Sequence, residues 1–428
     1  MTTEQEIRAQ AEAAKMASYP LAALQVDVRN MALHAMADAL LGAAGMVLQE
    51  NAADLAAAKE AGMQPSYLDR LRLDMRRISD MAEGLRQTAE LPDPLGREDY
   101  SVRRPNGLEI RRLRVPLGVV GMIYEARPNV TADAIGLCLK SGNAVFLRGG
   151  SDALRSNRAI RDVLSHVAYA AGIPEGAIQL LAIKDRTAVD MMIHLTGLLD
   201  VIIPRGGAGL IRHVTEHSTV PVIETGAGIC HVYVDRAADV EMAIRIVQNA
   251  KVSRPSVCNA AETLLVHAEA AADFLPRMAK ILHADGVELR GCEKTCAILP
   301  DAVPAVEEDW RTEYGALILS IRIVSSIEEA IAHINRYNTG HSETIVTNDI
   351  RAAHIFQHAA DASTVYVNAS TRFTDGFEFG FGAEIGISTQ KLHVRGPMGL
   401  EALTSTKYLV YGEGQVRTSP AANTECCS

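Results

Sequence analysis

The chain has 428 residues, of which 48% are hydrophobic and 22% charged, and its formal net charge is −10. This composition is typical of a folded globular protein of two or three domains and excludes a largely disordered chain. The acidic balance, with an isoelectric point near 5.7, gives no electrostatic reason to expect nucleic-acid binding.

The N-terminal stretch, from Thr3 to about Glu90, is rich in Ala, Leu, Met and charged residues, with breaks near 19–20 and 62–65. This pattern predicts a series of amphipathic helices and no strand. No cationic and then apolar signal segment opens the chain, and no apolar run approaches the ~20 residues that a membrane span needs. We therefore expect a soluble, cytoplasmic protein.

A β-hairpin is predicted over Tyr100–Val115, where Pro105-Asn106-Gly107 gives a turn signal between two strand-like runs. Many residues of this hairpin are arginines. They could form a nucleic-acid patch, an oligomer contact or a solvated face, and within an acidic protein we favour the last two.

From Gly118 onward, short apolar runs alternate with amphipathic segments. This alternation predicts a parallel sheet that is covered by helices on both faces. The predicted strands are Gly118–Tyr124, Ala144–Arg148, Ile178–Leu181, Asp200–Pro204 and Val220–Ile223, and the predicted helices are Asn129–Lys140, Asp152–Ala171 and Gly207–Glu216.

Two of these strand ends carry glycines directly after an arginine, at Arg148–Ser151 (RGGS) and at Arg205–Gly207 (RGG). Glycines let a phosphate approach the backbone, and a following helix N-terminus offers unpaired N–H groups. Neither stretch is GxGxxG, and each alone is compatible with a phosphate site or with a tight turn. Two such stretches in one sheet, each with an arginine at the strand end, favour a dinucleotide site.

A second series of alternating strands and helices follows. Its predicted strands are His231–Val234, Thr263–His267, Ala316–Ile323, Thr344–Thr347 and Thr364–Asn368, and its predicted helices are Asp239–Lys251, Ala270–His283, Ile327–Tyr337 and Asp349–Ala360. Beyond them, Ala369–Pro397 is rich in Gly and Phe and has weak periodicity. A loop of that length in a compact protein is usually functional. Ser405–Tyr411 is the last predicted strand, and the residues after Gly412 form a tail.

Cys258 lies within Ser253–Glu262 (SRPSVCNAAE), on the connection between a predicted helix and a predicted strand. A thiolate is a strong nucleophile, and a nearby cation lowers the pKa of the thiol. Arg254 is the predicted cation, and the small residues around the thiol leave room for a substrate. The alternative is a buried cysteine that packs as a small apolar side chain. The polar neighbourhood, interrupted by Pro255, favours the reactive thiol.

The seven cysteines form no regular framework, which favours a reducing compartment. Cys292 and Cys296 form a lone CxxxC without a second ligand pair, so we interpret them as ordinary thiols and predict no metal site. Cys426 and Cys427 end a polar tail, and we expect both to be free.

Three stretches together resemble the γ-glutamyl phosphate reductase family, which belongs to the aldehyde dehydrogenase superfamily. They are Pro116–Ser151, Ser253–Thr263 and Val367–Pro397, with the segments EARPNVT, RPSVCNAAET and VNASTRFTDGFEFG. The resemblance covers nearly the whole chain to about Arg417. It implies NADPH-dependent reduction of L-glutamyl 5-phosphate to L-glutamate 5-semialdehyde, with release of phosphate through a cysteine thioester, in L-proline biosynthesis.

The resemblance also implies an aldehyde dehydrogenase-like α/β fold with two parallel-sheet domains, a helical N-terminal part and a small β element for oligomerisation. The implied parts are a cofactor domain at 1–99 and 118–228, a catalytic domain at 229–368, an oligomerisation hairpin and strand at 100–117 and 400–415, a substrate loop at 369–399 that returns to the cofactor domain, and a tail at 416–428. The implied partners are the small-molecule substrate, further copies of the chain in a dimer or tetramer, and glutamate 5-kinase in a transient complex.

Individual residues follow from the same resemblance. Asn129 matches the oxyanion-binding Asn of the superfamily, with the backbone N–H of Cys258 as second donor, although a helix cap is compatible with the same position. Arg148–Ser151 match the adenosine-ribose site, and Arg205–Gly207 match the pyrophosphate site. Glu313 is near the nicotinamide-ribose contact, but its spacing to the next glycine departs from the superfamily pattern. The implied cofactor-binding residues are Arg148, Gly149, Gly150, Ser151, Arg205, Gly206, Gly207 and Glu313.

The implied substrate carries an α-ammonium, an α-carboxylate and a phosphate, so several cations are needed. The candidate substrate-binding residues are Arg127, Arg254, Ser370, Thr371 and Arg372. Arg372 matches the loop that grips the substrate tail in related enzymes, and Arg127 is a candidate for the phosphate. Each arginine could instead support a loop through an ion pair. His341 and Glu343 follow a loop glycine and are weaker candidates for lining the pocket.

Arg148 and Arg155 bear on coenzyme choice, and Glu224 bears on the activation of water. Arg148 ends its strand and Arg155 lies one helical turn beyond Ser151, which favours a 2′-phosphate and predicts NADPH over NADH. Glu224, within VIETG, matches the superfamily's ELGG segment, whose Glu can activate water in hydrolytic relatives. A reductase has no use for that water, so we predict that Glu224 takes no part in proton abstraction.

Two other functional classes stay open. A hydrolytic NAD(P)-dependent aldehyde dehydrogenase that acts on a free aldehyde would share the fold and the thiol, and dependence on phosphate separates the two activities. A non-catalytic protein on the same scaffold would not need Cys258. The intact nucleophile, the glycine turns and the arginines at the cofactor end argue against that class.

Overall fold

The computed structural model describes residues 2–125, 127–185 and 187–417 of the chain. The predicted tail lies outside the described residues from residue 418 onward, and so do Cys426 and Cys427. Within the described residues, the chain forms two parallel sheets with helices around them and two antiparallel sheets, one of three strands and one of two. This architecture confirms the predicted α/β class.

The N-terminal helices are α1 (Thr3–Ala22), α2 (Val26–Gly42), α3 (Ala44–Glu60), α4 (Pro65–Leu71) and α5 (Met75–Glu90). Apolar residues recur at helical spacing, so that α2 buries Leu33, Met36 and Leu40 on one face. The side chain of Asp74 caps α5 by accepting the N–H of Arg77 at 2.8 Å. The predicted helical start of the chain is confirmed, although α1 continues through the expected break at 19–20 and ends at Ala22.

Across residues 2–125, 127–185 and 187–417, no single helix is long and apolar enough to cross a membrane. The consecutive helices α2 and α3, which are bent by 66°, meet the length and composition criterion only as a pair. In the structure, both helices contribute side chains to the largest hydrophobic core, among them Leu33 and Val47.

The predicted hairpin consists of β1 (Glu98–Arg103) and β2 (Glu109–Pro116), and Gly107 takes a positive φ of 89° at its turn. The strand β16 (Thr404–Tyr411) pairs antiparallel with the other edge of β2. The last strand of the chain thus pairs with a hairpin that is far from it in sequence.

Acidic residues neutralise arginines of this antiparallel sheet. The ion pairs include Arg111–Glu109, Arg112–Asp99 and Arg114–Glu401. Positive and negative side chains that alternate in this way do not form the unopposed cationic surface that a polyanion binds. The structure therefore does not favour the nucleic-acid interpretation of these arginines.

The first parallel sheet has the order β5-β4-β3-β6. Its strands are β3 (Val119–Tyr124), β4 (Ala144–Gly149), β5 (Ile178–Leu180) and β6 (Val201–Arg205), and the helices that accompany it are α6 (Asn129–Lys140), α7 (Leu154–Ala170), α8 (Thr187–Met192) and α9 (Ala208–His217). Every residue of β3 and β4 is buried, because helices cover both faces of a parallel sheet. A short 3₁₀ helix at Ser151–Ala153 precedes α7.

One predicted strand of this sheet is wrong. Val220–Ile223 forms only an isolated bridge, between Val222 and Ile202 of β6. Pro221 lies inside the segment and has no N–H to give to a ladder, which limits the pairing. The sequence prediction also missed α8, because six residues are too few to show helical periodicity.

The second parallel sheet has the order β10-β9-β11-β8-β7-β12-β13. Its strands are β7 (Cys230–Val234), β8 (Ala261–His267), β9 (Glu288–Gly291), β10 (Val303–Pro304), β11 (Ile318–Val324), β12 (Ser342–Val346) and β13 (Thr364–Val367). Its helices are α10 (Val240–Val252), α11 (Ala268–Ala284), α12 (Glu293–Ile298), α13 (Ile327–Tyr337) and α14 (Ile350–Ala359), with a 3₁₀ helix at Glu307–Arg311.

The short elements β9, α12 and β10 were not predicted, and they include the two cysteines of the CxxxC segment. Cys292 occupies the cap position of α12, and the Sγ of Cys296 donates to the carbonyl oxygen of Gly291 at 3.3 Å. In the part of the chain that the structure describes, no group of three or more His, Cys, Asp or Glu side chains could hold a metal ion.

The segment after β13 returns to the first parallel sheet. It contains two 3₁₀ helices, Thr371–Phe373 and Leu400–Leu403, and the short antiparallel strands β14 (Ile387–Ser388) and β15 (Gly396–Pro397). Ile385 and Met398 are buried in the same core as β3 and β4. The predicted loop therefore has little regular structure, but its buried side chains hold it against the core of the first sheet. Its first part lies beside the second sheet.

Candidate active site

Three loops meet at the amino ends of neighbouring strands in the second sheet. Gly228, Cys258 and His341 lie shortly before β7, β8 and β12, and these strands are adjacent in the order β8-β7-β12. The half-buried Cys258 lies on the predicted helix-to-strand connection, between α10 and β8. Its Sγ is 3.2 Å from Nε2 of His341.

The backbone of Cys258 packs directly against Gly228. A Cβ atom on Gly228 would lie 1.5 Å from the carbonyl oxygen of Cys258 and 2.3 Å from its carbonyl carbon. The Sγ of Cys230 donates to the same carbonyl oxygen at 3.2 Å. These contacts fix the orientation of the loop that carries the thiol.

Burial, followed by the charges of Glu384 and Glu313, raises the pKa of the Cys258 thiol to about 11, although Arg205 lowers it. The cysteine is therefore a protonated thiol at neutral pH. The sequence predicted Arg254 as the cation beside the thiol, but Arg254 is exposed. The structure gives this role to Arg205, which comes from the carboxyl end of β6 in the other parallel sheet.

Arginines from separate segments surround the thiol. Burial lowers the pKa of Arg127 to about 10, with further lowering by Arg205 and Arg254, and the Cys258 thiol acts in the opposite direction. Burial also lowers the pKa of Arg372, and the charge of Arg254 is the next cause. Guanidinium groups that repel one another in this way make a site where an anion is favourable. The structure thus brings the three candidate arginines together.

Asn259 binds the loop of Arg372 to the loop of the thiol. Its side-chain amide donates to the carbonyl oxygen of Thr374 at 2.9 Å, and its Oδ1 accepts from the Arg372 guanidinium. Thr371 Oγ1 donates to the backbone carbonyl of Asn259 at 2.7 Å, and Ser370 Oγ accepts the N–H of Arg372 at 3.3 Å. Both hydroxyls are buried and serve these internal contacts, whereas they were predicted to assist substrate binding.

Asn129 is the first residue of α6 and follows Pro128 in the cap position, so it does not act as the helix cap. Its exposed side chain donates to Oδ2 of Asp133 at 3.2 Å. Burial raises the pKa of Asp133 to about 6. Arg205 lowers the pKa of both the Asp133 carboxyl and the Cys258 thiol. The start of α6 and the thiol therefore lie near the same arginine.

The two glycine stretches lie side by side. Gly149 and Arg205 both pair with Tyr124 of the central strand β3, at the carboxyl edge of the first sheet. Gly149 is tightly packed, since a Cβ there would lie 2.1 Å from Nδ2 of Asn157. Gly206–Gly209 are exposed at the start of α9. An exposed glycine run at this edge of a parallel sheet fits the diphosphate of a nicotinamide dinucleotide.

Arg148 is buried and its guanidinium is turned toward backbone carbonyls. It donates to the carbonyl oxygen of Gly149 at 3.1 Å and to that of Asp185 at 3.4 Å. Gly150 is buried as well, whereas Ser151 is exposed at the first 3₁₀ turn. Arg148 therefore supports the turn itself, which was not anticipated from the sequence.

Carboxylates accept N–H groups at both helix starts, whereas the sequence predicts that these N–H groups are unpaired. Asp54 of α3 accepts the N–H of Ser156 in α7 at 2.8 Å, and burial raises the pKa of Asp54. Glu125 accepts the N–H of Gly207, directly before α9, at 2.9 Å. A phosphate that approached Gly207 would compete with the Glu125 carboxylate.

Glu313 lies on the thiol side of the site despite its unusual spacing. Its Oε1 accepts the N–H of Gly228 at 3.0 Å, and burial raises its pKa. Gly228 in turn packs on the backbone of Cys258, so a single residue separates the Glu313 carboxylate from the loop that carries the thiol. The buried ion pair between Lys251 and Glu262, with 2.6 Å between Nζ and Oε2, lies near enough for Lys251 to act on Glu313.

His341 and Glu343, which are two residues apart, lie in different environments. His341 contacts the thiol, as described above. Glu343 was a candidate for lining the pocket, but it is fully buried and accepts the backbone N–H of His231 at 2.8 Å. Glu343 lies inside β12, where it pairs with His231 of β7, whereas His341 precedes the strand, so proximity in sequence to His341 did not place Glu343 at the site.

Sequence reasoning missed Glu384, whose charge has the largest effect on the Cys258 thiol. Burial raises the pKa of Glu384 to about 7, and its Oε2 accepts the N–H of Gly376 at 2.9 Å. The available signal was an acidic residue near the middle of the Gly- and Phe-rich loop.

This arrangement can hold an anionic substrate among arginines and bond its carbonyl carbon to a sulfur atom. The exposed glycine run lies at the facing edge of the first sheet, where a dinucleotide would approach the same cluster through Arg205. A nucleophilic thiol beside a dinucleotide site is the arrangement that thioester chemistry with hydride transfer requires.

Comparisons with known proteins agree with this description. Residues 1–287 and 296–408 match the model of the aldehyde dehydrogenase family. The chain is 58% identical to a γ-glutamyl phosphate reductase from Moorella thermoacetica, over 97% of this chain and 100% of that protein. It is 56% identical to a protein of the same name from Thermoanaerobacter pseudethanolicus, over 96% and 100%. A crystal structure of γ-glutamyl phosphate reductase from Thermotoga maritima superposes with a TM-score of 0.95 at 47% identity, covering 96% of this chain and 100% of that chain.

Proposed function

The chain belongs to the aldehyde dehydrogenase family, and within it to the γ-glutamyl phosphate reductases, and on this premise we propose that it reduces L-glutamyl 5-phosphate to L-glutamate 5-semialdehyde with release of phosphate. The product would serve L-proline biosynthesis. The single observation that carries the proposal is a thiol, Cys258, that lies among mutually repelling arginines. An acyl phosphate offers this thiol a good leaving group, and its phosphate and α-carboxylate relieve the repulsion.

In the proposed reaction, Cys258 attacks the acyl carbon, a carbon–sulfur bond forms and phosphate leaves. Asn129 and the backbone N–H of Cys258 donate to the oxyanion, and Arg127, Arg254 and Arg372 hold the anionic groups of the substrate. A bound nicotinamide coenzyme supplies the hydride that reduces the thioester. The protein's own part is to hold the acyl group on sulfur, fix the oxyanion and keep the tail of the substrate in place.

The family implies a nicotinamide coenzyme, and we propose NADPH/NADP for this chain. Arg148–Ser151 would hold the adenosine ribose, Arg205–Gly207 the pyrophosphate and Glu313 the nicotinamide ribose. The fit of the exposed glycine run at α9 supports this placement. Arg155 is exposed near the start of α7, one helical turn beyond Ser151, and would hold a 2′-phosphate.

Coenzyme preference provides a test of this placement. We expect Arg155→Ala to lower the ratio of kcat/KM for NADPH over NADH by roughly tenfold while leaving thermal stability unchanged, since Arg155 is exposed and an Arg accommodates a 2′-phosphate. Arg148→Ala should lower the same ratio and also the Tm, because the buried guanidinium supports the turn. Equal efficiency of the wild type with both coenzymes would contradict the assignment.

Glu224 is expected to be dispensable for the chemistry. The carboxylates whose charges act most on the thiol are Glu384 and Glu313. Glu224→Gln should keep most of the reductive rate, within about threefold, because thioester reduction needs no activated water. Single-turnover measurement of NADPH oxidation checks this. A loss of several orders of magnitude, with substrate and coenzyme binding intact, would make Glu224 a chemical participant.

We also propose a homo-oligomer, dimer or tetramer, assembled through the hairpin and β16. The edge strand β16 exposes Tyr408, Val410 and Tyr411, which is more apolar surface than a solvated edge strand needs. The predicted division into cofactor, catalytic, oligomerisation and substrate-loop segments belongs to this proposal. A cytoplasmic location and a transient complex with glutamate 5-kinase are consistent with the lability of an acyl phosphate.

The competing function is a hydrolytic aldehyde dehydrogenase on the same fold. NADP⁺ reduction in the presence of L-glutamate 5-semialdehyde separates the two, because phosphate is a substrate of the reductase in reverse and water replaces it in the hydrolase. We expect coenzyme reduction to require inorganic phosphate. Turnover that is independent of phosphate would favour the hydrolytic function.

A further inference from the structure

We propose that His341 is a catalytic residue that takes the thiol proton of Cys258 as the sulfur attacks and gives it to the departing phosphate. The inference rests on the proposed role of Cys258 as the nucleophile. It concerns a residue for which the sequence suggested only a place in the pocket lining.

The imidazole of His341 is fixed between the thiol and a chain of hydroxyls. The ring is fully buried, its Nε2 is 3.2 Å from the Sγ of Cys258, and its Nδ1 is 2.8 Å from the Oγ of Ser342. Ser342 Oγ lies 2.6 Å from Thr374 Oγ1, which is 2.8 Å from the hydroxyl of Tyr366. In this chain the S–H can donate to Nε2, the Nδ1–H to Ser342, and the Ser342 hydroxyl to Thr374.

The ionisation states of the two groups require a base. Burial lowers the pKa of His341 to about 4, so the ring is neutral above pH 5 and Nε2 has a free lone pair. The pKa of Cys258 is raised to about 11, so the thiol holds its proton until pH 10 or above. A resting thiolate–imidazolium pair is therefore not formed. The proton leaves sulfur only as the new bond forms, and the ring nitrogen in contact with sulfur is positioned to accept it.

The other charged groups around the thiol do not replace His341. Glu384 and Glu313 act on the thiol through charge, but one oxygen of each is held by a backbone N–H, from Gly376 and Gly228. The cations that face the thiol are Arg205, Arg127 and Arg372. The Sγ of Cys230 lies 3.7 Å from Nδ1 of His341, and burial raises the pKa of the Cys230 thiol well above its usual range.

The proposed step conserves the thiol proton, because each bond that forms is matched by a bond that breaks. The S–H bond breaks as the bond from sulfur to the acyl carbon forms, and the proton passes to Nε2. The bond between the acyl carbon and the phosphate oxygen then breaks, and its electron pair leaves with phosphate. Nε2 returns the proton to that oxygen, so that hydrogen phosphate departs, the thioester remains on Cys258 and His341 is neutral again.

Alkylation of the full-length protein with iodoacetamide, resolved by peptide mass spectrometry, tests the inference without substrate or coenzyme. With His341 as base, the alkylation rate at Cys258 in the wild type should stay nearly constant from pH 6 to pH 9. In His341→Ala it should fall roughly 10²-fold at pH 7, rise about tenfold per pH unit, and recover with added imidazole. His341→Gln, which fills the space but is not a base, should resemble the Ala variant without folding defects.

Cys292 provides an internal control in every sample. It is half-buried, its pKa is lowered, chiefly by hydrogen bonds that outweigh its burial, and it lies outside the site. Its alkylation profile should be the same in the wild type and in both variants. His333→Gln is a matched variant, because His333 is another buried histidine of the second sheet region with a lowered pKa and no contact with Cys258. It should leave the Cys258 profile unchanged.

Two results would overturn the inference. One is a wild-type Cys258 rate that itself rises tenfold per pH unit, which shows that the thiol loses its proton to solvent, and this result needs no variant. The other is equal Cys258 rates in the wild type and in His341→Gln. Because no step uses L-glutamyl 5-phosphate, failure of the proposed reduction in a separate assay leaves this outcome unaffected.

Discussion

Cys258→Ala is expected to abolish reduction of L-glutamyl 5-phosphate, with kcat lower by roughly four orders of magnitude or more, because no covalent intermediate can form. The fold should be preserved. The contact between Gly228 and the Cys258 backbone, and the hydrogen bond from Cys230 to its carbonyl oxygen, do not involve the lost sulfur. We expect the Tm to change by no more than about 2 °C, and the affinity for NADPH to stay nearly constant.

The control for this variant is Cys138→Ala. Cys138 is fully buried in α6, far along the chain from the thiol loop, and burial raises its pKa. That substitution should cost about 1 kcal/mol of stability through a small cavity and leave kcat unchanged. Rates of NADPH oxidation, thermal melts and coenzyme titrations separate the two cases. Retained turnover in Cys258→Ala would end the assignment of this thiol as nucleophile.

Gly228→Ala should have the second largest effect. The added Cβ would lie 1.5 Å from the carbonyl oxygen of Cys258, a backbone atom that cannot rotate away. The loop that carries the thiol must therefore shift, and the contact between the thiol and His341 is lost with it. We expect kcat/KM to fall at least about 10²-fold, since displacements near 1 Å cost that much in positioned chemistry. The Tm should fall as well.

Gly45→Ala is the matched control for this substitution. Gly45 lies in α3, and nothing lies within 4 Å of a Cβ built there. Alanine at an exposed helical position should stabilise the protein by roughly 0.5–1 kcal/mol and leave activity unchanged. If Gly228→Ala keeps wild-type kcat/KM, the loop of Cys258 is not held in the way described.

The regular elements of the fold could be predicted from sequence where local signals are strong. The helix Asn129–Lys140 and the helix Ile327–Tyr337 are observed with the predicted bounds, because apolar spacing and end signals agree. The strands β9 and β10 were missed because their pairing depends on distant strands, and the helix α8 was missed because six residues are too few to show helical periodicity. Val220–Ile223 has a strand-like composition, but Pro221 restricts its pairing to a bridge.

The site could be predicted only in part. Cys258 stood out because the polar and proline-interrupted loop around it is a local feature. The residues that set its properties come from distant segments: Arg205 from the first sheet, His341 before β12, and Glu384 from the long loop. Closeness in sequence favours Arg254 as the cation that lowers the pKa of the Cys258 thiol, whereas electrostatic effects depend on distance in space.

The most direct test of the central proposal is the intact mass of the protein after rapid mixing with L-glutamyl 5-phosphate in the absence of coenzyme. We expect the addition of one glutamyl group per chain, mapped to Cys258, and the release of an equal amount of free phosphate as this adduct forms. The adduct should disappear when NADPH is added, and Cys258→Ala should show none. Coenzyme oxidation by the wild type with no adduct at any time, or with an adduct on another residue, would contradict the proposed thioester at Cys258.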